Sequence, residues 1–146
     1  MIRFLAQALL LTAVFIGAWL VGGKPEKYVA TIYFSMLVIG ALEAFAFEPA
    51  TQADYENLHE FRFILDLAAL AGVVFVALHY DRWWTLWVGS AQFVAVTAHL
   101  LRMLDMPIPA LAYTVMERWP VWIAIVLTAV GTCLHYRHRS GTRTDT

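Results

Sequence analysis

Five long apolar runs, separated by short polar or glycine- and proline-containing links, set the pattern of this chain. They cover Phe4–Val21, Tyr28–Phe47, Phe61–Leu78, Trp83–Leu104 and Trp119–Tyr136. A helix needs about 20 mostly apolar residues to cross the hydrocarbon of a bilayer. Every amide inside hydrocarbon needs a partner within the protein, and a helix supplies its own. The pattern therefore predicts an all-α fold, an integral membrane bundle of about five transmembrane helices. It forms one transmembrane domain over residues 1–146, with a short basic tail over 137–146.

The links support this layout. Gly22, Gly23 and Pro25 close the first run, and Pro49 closes the second. Lys24-Pro25-Glu26-Lys27 and His79-Tyr80-Asp81-Arg82 are short enough to force antiparallel neighbours. Longer excursions are expected over Glu48–Glu60 and Asp105–Arg118. In the latter, Pro107 and Pro109 predict a break, followed by a short amphipathic piece (Ala110–Met116) that lies at the interface or extends the fifth run. The first run is longer than a secretory core and no Ala-x-Ala pattern follows it, so it reads as a retained helix.

Charge orients the bundle. Lys24, Lys27, Arg82, Arg137, Arg139 and Arg143 fall on one side. Arg3, Arg62, Arg102 and Arg118 fall on the other, beside an acidic loop containing Glu48, Asp54, Glu56 and Glu60. The positive-inside bias places the richer set, and the C-terminus with it, in the cytoplasm. Trp83, Trp84, Trp87 and Trp119 cluster near span ends, as expected of interface anchors with an apolar body and a polar tip.

Against this apolar background a few polar positions stand out. Glu43, Asp66 and His99 fall near the same ends of the second, third and fourth runs. At about 1.5 Å of rise per residue, antiparallel packing puts them within roughly one turn of depth. Gln92 precedes His99 by seven residues and shares its face, two turns deeper. Arg62 and Arg102 sit just above, and Arg62 is four residues before Asp66, within pairing reach on one helix. Ionisable groups at such depth are costly and need a partner or a role.

Three uses are open: a clamp between helices, a site for a proton or bound ligand, or a metal or haem site. The clamp leads. Asp66 beside His99 would orient the imidazole and fix its tautomer. His59, Glu60, Asp66 and His99 could converge on a metal, but no His-x-x-His or His-x-x-x-His spacing supports it. His79 lies at the opposite face from His99, and His135 and His138 belong to the solvated tail. No catalytic residue, metal site or cofactor is expected. Ala68 and Gly72, four apart, form a small-residue face suited to close helix packing.

Composition agrees with the membrane reading. Only 14% of the 146 residues are charged and 61% are hydrophobic, whereas a soluble domain carries about a quarter charged residues. A formal net charge of −1 points to neither nucleic acid nor an acidic substrate. The single cysteine, Cys133, cannot form an internal disulfide. No glycine-rich phosphate loop, nucleophile elbow or paired-cysteine motif occurs.

Several stretches carry a resemblance: Gly23-Lys24-Pro25-Glu26-Lys27, Leu65-Asp66-Leu67, Asp81-Arg82-Trp83-Trp84-x-Leu86-Trp87, Gln92-Phe93-Val94-Ala95-Val96 and His99-Leu100. Through them the chain resembles a group of small multi-span inner-membrane proteins of alphaproteobacteria for which no activity is known. The resemblance implies a multi-pass protein of the bacterial inner membrane and nothing about chemistry. Two functions are then expected. The first is a non-catalytic accessory or assembly protein acting through helix contacts, its partners being the lipid bilayer and other membrane proteins or a second copy. The alternative is a proton- or solute-handling protein using the Glu43, Asp66 and His99 cluster.

Overall fold

In chain order the helices are α1 (Ile2–Val21), α2 (Lys24–Ala46), α3 (Gln52–Tyr80), α4 (Trp83–Met103) and α5 (Ala110–Gly141). The computed structural model describes residues 2–46, 52–104, 106 and 109–141. Among these residues there is no strand. The all-helical expectation is met, but the helices run further than the apolar pattern alone suggests.

Each extension has a local cause. Lys24–Lys27, expected as a link, is the first turn of α2: proline fits there because the first helical amides lack intrahelical acceptors anyway. The reversal before it is confined to Gly22 and Gly23, where the Gly22 amide bonds Ala18 O at 3.0 Å. A methyl group at Gly22 would lie 2.5 Å from that same oxygen, so only glycine fits. α3 begins at Gln52, so much of the excursion expected over Glu48–Glu60 is helical, and residues 47–51 lie outside the described set. α5 begins at Ala110 and carries Pro120 inside it, so the short amphipathic piece extends the fifth helix. Arg137 and His138, expected in a separate tail, are in its last turns.

Between α3 and α4 the chain reverses in two residues. Asp81 takes φ 45°, the left-handed region that a short polar side chain tolerates. Arg82 follows as an extended N-cap, and Thr85 bonds its carbonyl.

The helices pack as a closed ring in chain order, α1 against α2 through to α5 against α1, with α2 and α5 also touching across the middle. The core between them contains Leu11, Val29, Tyr33, Val73, Val76, Trp84, Val88, Ala124 and Ile125. Outside, large apolar side chains such as Leu9, Leu20, Leu78 and Leu111 are exposed. Three helices, over Phe4–Val21, Glu60–Tyr80 and Thr114–His138, are long and apolar enough to cross a membrane.

One expected anchor belongs to the core. Trp84 is only 3% exposed, while Trp83, Trp87 and Trp119 are exposed. The helical period explains it: Trp84, Val88, Ala91, Ala95 and His99 form the inward stripe of α4, and Trp83 and Trp87 point outward. The Trp84 indole lies against Gly131 of α5, where a methyl group would come within 2.9 Å of the ring. The expected small-residue face divides too. Ala68 is exposed, while Gly72 faces the Ile32 side chain of α2, which a methyl group there would approach to 2.9 Å.

Candidate functional site

Asp66 of α3 is the centre of a side-chain network that joins three helices. Its Oδ2 lies 3.0 Å from His99 Nε2 of α4. Its Oδ1 accepts from Gln92 Nε2 at 2.8 Å, and the same amide reaches the Asp66 main-chain oxygen at 3.2 Å. Gln92 Oε1 in turn accepts from the Tyr33 hydroxyl of α2 at 3.0 Å. The network is directional. Tyr33 donates to Gln92, and Gln92 and His99 donate to opposite oxygens of one carboxylate. This pattern fixes the Gln92 amide orientation and puts the His99 proton on Nε2.

The helix period accounts for the convergence. Gln92 and His99 are seven residues apart on the buried stripe of α4, about 10 Å along the axis, and both side chains lean toward Asp66 between them. The Phe63 ring meets the His99 imidazole edge-on, with centroids 6.5 Å apart.

Nearby, Arg62 Nε contacts Glu43 Oε2 at 3.3 Å. Arg62 therefore pairs across to α2 and not with Asp66 in its own helix, whose two oxygens already have donors. The two partners differ in environment: the Arg62 side chain is 42% exposed and that of Glu43 is 7% exposed. The second oxygen of Glu43, Oε1, is buried and has no hydrogen-bond partner among the described residues.

Several of these groups border an open-sided cavity of about 300 Å³ lined by residues of α1, α2, α3, α4 and α5. Its polar lining is Gln7, Tyr33, Glu43, Arg62, Asp66 and His99. Its apolar walls come from Phe4, Leu11, Met36, Leu37, Leu65 and Val121, and Gly40 adds an uncovered stretch of α2 backbone. A methyl group built at Gly40 meets nothing within 4 Å, which locates open space beside α2.

Of the six residues singled out from sequence, Glu43, Arg62, Asp66, Gln92 and His99 are brought together. Gln92 binds Asp66 directly and is not a separate deeper station. Arg102 is exposed and does not line the cavity. Among the described residues no group of three His, Cys, Asp or Glu side chains is placed to hold a metal. The side chain of His59 lies outside the described set.

Sequence reasoning missed Gln7 and Tyr33. Gln7 is the lone amide of the first apolar run, a signal that was present. Tyr33 resembled an ordinary aromatic of an apolar run, and only its inward rotation reveals its role. A second buried carboxylate was missed as well. Glu26 of α2 is 1% exposed, and its Oε2 has no partner among the described residues. A methyl group at Gly23 would lie 2.9 Å from that oxygen and 3.0 Å from the His135 ring, so Glu26 and His135 flank the same glycine.

Comparison of the chain with protein-family models, curated proteins and solved structures returned no match.

Proposed function

We propose that the chain is a polytopic membrane protein whose helices enclose a binding pocket for a small polar solute near one end of the bundle. The observation that carries this reading is Glu43: a carboxylate only 7% exposed that lines a cavity of about 300 Å³ and whose Oε1 has no donor among the described residues. A purely structural clamp would be expected to close on itself, because leaving a buried acceptor unmade costs about 1–3 kcal/mol or more for a charged group. The Asp66 network beside it ties α2, α3 and α4 together, so it acts as the rigid floor on which the pocket stands. Membrane insertion is supported by the exposed large apolar side chains, since soluble proteins rarely expose apolar patches beyond a few hundred Å².

Action through helix contacts alone is the second reading. In its favour is an apolar groove of about 450 Å³ on the outside of α4 and α5, lined in part by Trp83, Trp87, Trp119 and Trp122. Against it, Gly72 of the small-residue face is already used inside the bundle, against Ile32.

The test is a solute screen by thermal shift on the full chain in nanodiscs, run beside Gly40→Leu. Leucine at Gly40 grows into open space and fills the pocket. A solute that stabilises the parent and not Gly40→Leu supports a pocket. If no solute separates the two proteins, the cluster is a clamp.

A further inference from the structure

We infer that the solute is a small organic ammonium ion, a cation with N–H donors and a short apolar body. The inference rests on the pocket reading above and adds the chemical class of its occupant.

Three features of the cavity lead to it. The first is charge. The lining holds two carboxylates, Glu43 and Asp66, one guanidinium, Arg62, and one imidazole, His99. With the imidazole neutral the sum is −1, and with it protonated the sum is zero. Neither state is positive, so an anion finds no net attraction.

The second feature is the unequal burial of the Glu43–Arg62 pair. The guanidinium is 42% exposed, so solvent screens much of its field, whereas the carboxylate is 7% exposed and keeps its own. The pocket therefore presents carboxylate more than guanidinium. The third feature is hydrogen bonding. Glu43 Oε1 has no donor among the described residues, and Asp66 retains acceptor capacity beyond the bonds from Gln92 and His99, because a carboxylate offers about four lone-pair sites. An ammonium head supplies both the charge and the donors. The apolar walls, including Leu11, Leu37 and Leu65, suit a short alkyl body, and about 300 Å³ lies at the small end of ligand pockets.

The experiment uses the full chain in nanodiscs and three probes of similar size, butylammonium, butanol and butyrate, with tetramethylammonium as a cation that has no N–H donor. Butylammonium is expected to raise the unfolding temperature in a saturable way and to bind at least tenfold more tightly than the other three. Glu43→Gln keeps the shape and removes the charge, and it is expected to weaken butylammonium binding at least tenfold. Gly40→Leu is expected to abolish it, which keeps the test decisive should Glu43→Gln fold poorly. If butyrate or butanol binds as well as butylammonium and Gly40→Leu removes that binding, the pocket stands and the ammonium assignment falls. If tetramethylammonium equals butylammonium, the donor requirement falls and with it the assignment. If no probe stabilises the parent, the ammonium assignment is overturned, and the broader solute screen decides the pocket separately.

Discussion

Arg62 reaches from α3 to Glu43 on α2 at 3.3 Å, although Asp66 follows it by four residues on its own helix. His99 and Gln92 already occupy the two oxygens of Asp66, whereas Glu43 has no other described partner. Arg62 is thereby left over the rim of the cavity, and the network below it stays closed.

The Asp66 network makes a first prediction. Asp66→Ala removes the common acceptor of His99 and Gln92 and is expected to destabilise the bundle by about 1–3 kcal/mol. Individual polar contacts between membrane helices average nearer 0.6 kcal/mol, and a network should exceed one of them. A double-mutant cycle of Asp66→Ala and His99→Ala, read by reversible unfolding in mild detergent, should give a coupling of at least about 0.5 kcal/mol. Strict additivity would show that the two side chains do not interact.

Tyr33 anchors the far end of the same network. Tyr33→Phe deletes only the hydroxyl that donates to Gln92 Oε1, leaving that oxygen unpaired in a buried place. The expected loss is about 1 kcal/mol. Gln92→Leu in the same background should cost less than it does alone, because the stranded acceptor goes with it.

Two glycines should respond in opposite directions. Gly131→Ala places a methyl group 2.9 Å from the Trp84 ring and is expected to cost about 1–3 kcal/mol through overpacking. Gly40→Ala meets nothing within 4 Å and is expected to stabilise the helix by up to about 1 kcal/mol. Unfolding temperatures of the two variants, measured together, check the pair.

Glu26 is buried with its Oε2 lacking a partner among the described residues, and the N-terminus of α2 offsets only part of the cost of its charge. Glu26→Gln is therefore expected to be neutral or stabilising by up to about 1 kcal/mol. A loss of more than that would reveal a partner for the carboxylate. Gly23→Ala, which crowds both Glu26 Oε2 and His135, should destabilise by comparison.

Orientation is open to direct labelling. In a Cys133→Ser background, Arg82→Cys should resist a membrane-impermeant thiol reagent added to intact cells, and Glu60→Cys should react. Both positions are exposed, so access depends only on the side of the membrane. The reverse pattern would invert the proposed topology.

The helices and the rough depth of the polar groups were legible in the order of residues. Both depend on distance along the chain: apolar run length sets where a helix forms, and rise per residue places Glu43, Asp66 and His99 in one layer. Which side chain meets which was not legible, because each residue turns a helix by about 100° and small rotations change every neighbour. Tertiary packing gave Arg62 to Glu43, turned Trp84 into the core and Arg102 outward, and brought Tyr33 into the network. It also made the cavity beside Gly40, since empty space exists only between helices and no single segment encodes it. Sequence alone determined that costly polar groups lie among apolar helices. Only the tertiary structure decided that Glu43 lines a cavity while one of its buried oxygens has no donor among the described residues, because partnering depends on how all the helices are rotated at once.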